Sequence, residues 1–131
     1  MKIVLTPAEA EDIFYKSLCN AVGTGYMEGY GLELQADRSQ YKNCREHLER
    51  IGKSAYYEDI LMQILRDGGS LTFVDHEGDG DMTRSITMKE VHERVEKTPL
   101  LNITNIHEEN DDASDADVVL QTVFFEEVIF G

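Results

Sequence analysis

The sequence predicts a single α+β domain that is rich in helix and contains a small antiparallel β-hairpin or sheet. Apolar residues recur at helical spacing in several segments, and two short runs of strand-forming residues flank a turn rich in Asp and Gly. The length of 131 residues suits one domain with one core. Because the chain shows no internal repeat and no linker rich in Pro, Gly or Ser, we assign residues 1–131 to one domain.

The first helix begins at Thr6-Pro7-Ala8-Glu9, where Thr6 and Glu9 have the spacing of a capping box and Pro7 suits the first turn. Gly23 is the expected stop. The apolar or small positions at helical spacing are Ala10, Ile13, Phe14, Ser17, Leu18 and Ala21. The preceding segment, residues 2–5, either forms a short strand or packs Ile3 and Leu5 beside the start of the helix.

Residues 23–31 contain four glycines and two tyrosines, a composition that predicts an irregular loop. A second helix is predicted over roughly residues 38–51, with Gly52 as its stop. Ser54 is expected to cap a third helix that ends at residues 67–69. The apolar face of this third helix is Tyr57, Ile60, Leu61, Ile64 and Leu65.

The middle of the chain indicates a hairpin followed by a helix. Residues 71–74 and 83–87 are the two strands, and Thr87 and Glu90 form a second capping box for a helix that stops before Pro99. Residues 100–106 fit a helical turn or an extended segment equally well. Residues 108–112 predict a solvated acidic loop.

The last segment predicts a helix from about Asp115, with Ala116, Val119, Leu120, Val123 and Phe124 at helical spacing. Residues 128–130 fit a short final strand. Because this end is so apolar, we expect it to dock on the core.

The formal net charge of −14 predicts no membrane partner and no direct DNA binding. The charge is uneven: residues 1–53 hold seven basic and eight acidic side chains, and residues 54–131 hold five basic and eighteen acidic ones. No apolar run is long enough to span a bilayer, and the first six residues do not have the pattern of a signal peptide. With Cys19 and Cys44 expected in helices and reduced, we expect a cytoplasmic protein.

The usual catalytic and metal-binding patterns give no site. Residues 75–81 begin like a calcium-binding loop, but Ile86 stands where the bidentate glutamate belongs. A solvated hairpin turn is the preferred interpretation, and weak divalent-cation binding is the alternative. The histidines lack metal-ligand spacing, and paired carboxylates are expected by chance in so acidic a chain. The sequence therefore predicts a protein without catalytic residues, metal or cofactor.

Tyrosines and basic residues concentrate between residues 26 and 57. Aromatic rings can stack on a base, and guanidinium or ammonium groups can hold phosphates. The predicted ligand-binding residues are Tyr26, Tyr30 and Tyr41 for stacking and Arg38, Lys42 and Arg45 for phosphate. The alternative is that the tyrosines lie half-buried at the core edge and the basic residues only solvate a helix.

Residues 57–75, from Tyr57-Glu58-Asp59 to Phe73-Val74-Asp75, and residues 115–131 resemble small acidic proteins of bacteriophages and mobile elements, whose functions are unassigned. The resemblance implies a binding function that either captures a host immune signal or blocks a host protein. The leading hypothesis is a counter-defence protein that sequesters a nucleotide-derived signal in the host cytoplasm. The alternative is an acidic interaction module or DNA mimic, and an enzyme of unfamiliar type is a third class. A symmetric oligomer could complete such a pocket.

Overall fold

The computed structural model describes residues 3–24, 26–110 and 112–131, and the side chains of residues 22–26 lie outside that description. Within these ranges the chain has seven α-helices and one three-stranded antiparallel sheet, which confirms the predicted helix-rich α+β fold. The elements are α1 Pro7–Thr24, α2 Tyr26–Gly29, β1 Leu32–Gln35, α3 Arg38–Arg50, α4 Tyr57–Arg66, β2 Leu71–Asp75, β3 Arg84–Ile86, α5 Met88–Arg94, α6 Leu100–His107 and α7 Ala113–Phe125.

Both predicted capping boxes are present. Before α1, the Thr6 N–H donates to Glu9 Oε1 (2.9 Å) and the Glu9 N–H donates to Thr6 Oγ1 (3.1 Å). Before α5, the Thr87 N–H donates to Glu90 Oε2 (3.0 Å). These bonds satisfy backbone donors that a helix start leaves without partners, which explains why the pattern located both helices correctly.

The start of α4 differs from the prediction. Tyr56, not Ser54, is the N-cap residue, and its N–H donates to Asp59 Oδ2 (3.1 Å). The Ser54 hydroxyl donates to the same oxygen (2.6 Å), so it supports the cap instead of forming it.

The sheet has the strand order β1-β2-β3, with antiparallel pairing throughout. The β2–β3 hairpin confirms the sequence prediction, while β1 was not anticipated. Leu34 pairs with Phe73, and Phe73 pairs in turn with Arg84. The buried face of the sheet packs on α7, where the rings of Phe73 and Phe124 lie 4.2 Å apart between centroids.

The prediction of an irregular loop over residues 23–31 is wrong. Helix α1 continues through Thr24, and α2 follows before the turn at Tyr30 and Gly31. Met27 of α2 is buried among core residues, and this packing outweighs the low helix propensity of the neighbouring glycines. The segment left open at residues 100–106 is the helix α6.

The core is one cluster of buried side chains around α1 and α7. All six positions predicted for the apolar face of α1 are at most 2% exposed. Residues 3–6 are not a strand; Ile3 and Leu5 pack on the core, and the Leu5 N–H donates to Glu96 Oε2 (3.0 Å). The packing alternative for this segment is therefore correct.

The C-terminal segment docks on the core without forming the predicted final strand. The N–H groups of Ile129 and Phe130 each donate to Gln121 Oε1 at 2.9 Å. The ring of Phe130 stacks on Tyr30, with centroids 4.9 Å apart and planes 15° from parallel. The side-chain amide of Gln121 thus accepts the backbone hydrogen bonds that a neighbouring strand would accept in a sheet.

Among the described helices, none combines the length and the apolar character needed to cross a bilayer.

Candidate anion-binding cleft

A cleft of about 500 Å³ lies between α3, α4 and the edge strand β1. The lining from β1 and the link that follows is Glu33, Leu34, Gln35 and Ala36. Helix α3 contributes Arg38, Tyr41, Lys42 and Arg45, and α4 contributes Tyr57 and Leu61. The volume lies within the range of about 300–1,000 Å³ that is common for small-molecule sites.

Three cations of this cleft share one side of α3. Arg38, Lys42 and Arg45 follow each other at spacings of four and three residues, which places them on one helix face. All three are exposed, and within the described residues none forms an ion pair. Arg66 and Arg94, by contrast, each contact a glutamate. The α3 cations are therefore available to an external anion.

Two tyrosine rings lie beside these cations. Tyr41 and Tyr57 have ring centroids 6.1 Å apart and planes inclined by 42°. Burial raises the pKa of Tyr57, and the nearby Tyr41 and Glu33 raise it further. The Tyr57 phenol therefore stays uncharged at neutral pH and adds no negative charge to the cleft.

Glu33 is the acidic residue in the lining of the cleft. Its carboxylate contacts His76 Nε2 (2.9 Å) and accepts a hydrogen bond from Gln35 Nε2 (3.2 Å). The hydrogen bond with His76, followed by that from Gln35, lowers the pKa of Glu33. With three cations and one carboxylate, the lining has a net charge of +2 in a protein whose net charge is −14.

A smaller recess of about 100 Å³ adjoins the cleft through Glu33, Leu34 and Tyr57. Its other walls are mainly apolar and include Leu32 and Phe73. The cationic side on α3 thus lies next to an apolar side, and this combination suits a ligand with an anionic and a flat or apolar part.

Four of the six predicted ligand-binding residues line this cleft: Arg38, Tyr41, Lys42 and Arg45. Tyr30 is not among its lining residues; the Tyr30 hydroxyl donates to Asp117 Oδ2 (2.9 Å) and its ring stacks on Phe130. The side chain of Tyr26 lies outside the described part of the structure.

Sequence reasoning did not include Tyr57 and Glu33 in the site. The sequence pattern places Tyr57 on the apolar face of its helix, but its side chain is 37% exposed and lines the cleft. Glu33 lies on β1, which was itself unpredicted. Glu33 pairs with Val74 of β2, so its place in the cleft depends on a strand that the sequence pattern does not indicate.

The calcium-like segment at residues 75–81 forms a tight turn. The Asp75 carboxylate accepts hydrogen bonds from the N–H groups of Glu77 (2.9 Å) and Met82 (3.1 Å). Asp75 is at the first ligand position of the calcium-like segment, and both of its carboxylate oxygens already accept backbone hydrogen bonds. Across residues 3–24, 26–110 and 112–131, no group of three His, Cys, Asp or Glu side chains is arranged to hold a metal ion.

Neither cysteine is in a disulfide; Cys44 is buried on α3 and Cys19 is exposed on α1. Burial raises the pKa of the Cys19 thiol to about 11, and the negative charge of Glu58 contributes. The thiolate, which is the nucleophilic form, is therefore disfavoured at neutral pH.

A second polar cleft of about 430 Å³ lies between α1 and α4, and four of its five charged residues already bond to neighbouring side chains: Glu11, Asp12, Asp59 and Arg66. Arg66 Nε lies 3.4 Å from Glu11 Oε1, and the Tyr15 hydroxyl donates to Asp59 Oδ1 (2.7 Å). The α3 cleft is therefore the better candidate for an external ligand.

The likeness to phage proteins and the ligand class remain predictions at this point. No protein-family model, curated protein or solved structure matches this chain.

Proposed function

We propose that this protein binds a phosphorylated, nucleotide-derived small molecule in the cleft between α3, α4 and β1, and holds it without chemical change. The supporting observation is the position of Arg38, Lys42 and Arg45, which have no ion-pair partner among the described residues and lie beside two tyrosine rings. Charge-assisted hydrogen bonds to phosphate and stacking on a base are the interactions that such a group of side chains supplies.

The cleft also suggests an orientation for the ligand. Phosphate groups lie along α3, beside Arg38, Lys42 and Arg45. The base lies towards Tyr57 and the adjoining apolar recess. There the Glu33 carboxylate can accept hydrogen bonds from N–H groups on the edge of the base.

The biological role in this proposal is sequestration in the cytoplasm of a host cell. A protein that holds a nucleotide signal without releasing products lowers the free concentration of that signal. In a phage setting, this would deprive a host defence response of its activator.

Isothermal titration calorimetry tests the binding step with a panel of cyclic dinucleotides, cyclic trinucleotides, ADP-ribose derivatives and nucleoside phosphates. Arg45→Ala should weaken binding of the ligand found by about tenfold to a hundredfold, because it removes a charged hydrogen-bond donor worth about 1.5–3 kcal/mol. Arg50→Ala is the matched control: Arg50 is also an exposed arginine of α3 but does not line the cleft. Its effect should be less than about twofold.

No binding to any member of the panel, or equal losses for the two arginine variants, would contradict the proposal. The absence of turnover needs a separate measurement. Ligand recovered after long incubation should have an unchanged mass. An altered mass would show that the protein is an enzyme that acts on the ligand.

A further inference from the structure

An apolar groove of about 380 Å³ lies between the N-terminal segment, α1 and α6, separate from the α3 cleft. Its apolar lining is Ile3, Leu5, Ala8, Ile13, Leu100 and Ile103. Ile13 and Ile103 are buried and form part of the core, while Leu100 is 55% exposed. The groove therefore leads from the surface directly to core side chains.

Large apolar side chains are exposed at this groove. Leu100 of the lining is 55% exposed, and Val4, the sequence neighbour of the lining residues Ile3 and Leu5, is 76% exposed. Water-exposed apolar groups that cluster around a concave surface are typical of an interaction site. In a chain with 29% charged residues, this cluster stands out from the surrounding surface.

Carboxylates border the groove. Glu9 and Asp12 line it from α1. Asp12 is paired with Lys16 (3.1 Å), whereas Glu9 contributes one oxygen to the capping box of its own helix. His107 is the basic residue in the lining. The lining thus holds two carboxylates and one imidazole.

We infer that this groove docks a basic amphipathic helix of a partner protein. Such a helix places apolar side chains at positions i, i+3, i+4 and i+7 into an apolar groove, and its lysines or arginines would face the bordering carboxylates. A second copy of this chain is disfavoured because each copy carries a net charge of −14 and would bring carboxylates against carboxylates. Fatty acids and anionic lipids meet the same repulsion.

The experiment uses the full chain and a fluorescently labelled helical peptide made of leucine and lysine, with leucines at the spacing given above. Fluorescence anisotropy should show binding, and Leu100→Asn should weaken it by about tenfold, since a buried leucine contributes about 1.5–3 kcal/mol. Leu101→Asn is the matched control: it is adjacent and of the same residue type, but does not line the groove. Its effect should be below about twofold.

A change of opposite sign gives an independent check. His107→Glu adds a carboxylate to the lining and should tighten peptide binding by about twofold or more. Arg45→Ala, in the α3 cleft, should leave peptide binding unchanged, so failure of this proposal is distinguishable from failure of the nucleotide proposal.

Three outcomes would overturn the inference. A scrambled peptide of the same composition could bind equally well, which would show that binding depends on charge and not on the helical spacing of the leucines. The two leucine variants could have the same effect. Sedimentation could show self-association of the chain that Leu100→Asn abolishes, which would make a second copy the occupant. Circular dichroism of each variant confirms that its fold is retained.

Discussion

At the scale of single residues, α7 carries polar side chains inside the core, and each has a definite partner. Gln121 is completely buried; its amide donates to Asp117 Oδ1 (3.0 Å) and to the Phe130 carbonyl (3.3 Å). Asp117 also accepts the hydroxyl of Tyr30. Because buried polar groups are costly without partners, this network fixes how the C-terminal segment docks.

Gln121→Leu should lower the free energy of unfolding by about 2–4 kcal/mol, because it leaves the Asp117 carboxylate and two backbone N–H groups short of partners. Urea denaturation measures the change. The control is Gln63→Leu on α4, where the amide bonds only to Asp67 on the surface (2.9 Å). Its effect should stay within about 0.5 kcal/mol, and equal losses would show that Gln121 does not hold the terminal segment.

Thr98 provides the opposite case. It is 1% exposed, and in the described part of the chain its Oγ1 is the one buried side-chain polar atom without a hydrogen-bond partner. Thr98→Val should therefore raise the free energy of unfolding by about 1 kcal/mol, since it removes an unsatisfied hydroxyl at constant shape.

The matched control for Thr98 is Thr122→Val, because the Thr122 hydroxyl is also buried but donates to the Val118 carbonyl (2.7 Å). This change should be neutral or destabilising. Thermal or urea unfolding of the pair decides the matter, and a loss of stability in Thr98→Val would mean that its hydroxyl has a partner, such as a bound water.

At the scale of elements, carboxylates at helix starts account for part of the acidity of the chain. Hydrogen bonds from Thr6 lower the pKa of Glu9, and those from Thr87 lower the pKa of Glu90. For Asp59, burial raises the pKa, but hydrogen bonds from Ser54, Tyr15 and the Tyr56 N–H outweigh it, so the pKa is lowered. A pKa that is lower in the folded state stabilises the fold above the unfolded value, and this stabilisation is lost as pH falls.

The fold should therefore lose stability progressively from about pH 4.5 downward, and Asp112 allows this to be tested. The Ser114 hydroxyl and backbone N–H groups lower the pKa of Asp112 below 3.8, so its contribution is lost below that pH. Asn also caps helices well but does not titrate.

Asp112→Asn should therefore match the wild type at neutral pH and lose less stability at about pH 3 in urea unfolding. Parallel loss in both proteins would show that the charge of Asp112 does not stabilise α7.

Most helices were predictable because their start signals are local. Thr6 and Glu9 are three residues apart, and their reciprocal hydrogen bonds form without any contact from distant parts of the chain. Strand β1 is different: its four residues become a strand only by pairing with β2, which follows α3 and α4 along the chain. The site depends on this strand as well: the spacing of the α3 cations is recognisable in the sequence, whereas Glu33 lies on β1, which the sequence does not indicate.

Tyr30 was assigned to the site for a related reason. Its sequence neighbours suggested a stacking loop, but its partners Asp117 and Phe130 lie far along the chain. An aromatic residue next to glycines is equally suited to ligand stacking and to internal stacking, and only tertiary structure distinguishes the two.

At the scale of the whole molecule, the charge of −14 opposes the compact state through repulsion among carboxylates. The ion pairs described here are mostly at the surface and contribute little. Added salt should therefore have a net stabilising effect, because screening shortens the range of repulsion from about 30 Å at 0.01 M to about 3 Å at 1 M.

Calorimetry should show a melting temperature that rises by a few degrees between about 0.01 M and about 1 M NaCl. The control is Glu127→Lys, which reduces the net charge at an exposed position. It should raise the melting temperature at low salt only. A melting temperature that falls with salt would show that the ion pairs outweigh the repulsion.

The pairing of β1 with β2 has a consequence for the dynamics of the molecule. Residues 36–70 connect β1 to its partner β2, and this connection contains both α3 and α4. Release of β1 would open that loop and separate the walls of the cleft, while α1 and α7 could remain packed. A ligand in the cleft would therefore chiefly oppose this local opening. The amide hydrogen-exchange rates of β1 and β2 would slow at ligand concentrations that leave the free energy of global unfolding almost unchanged.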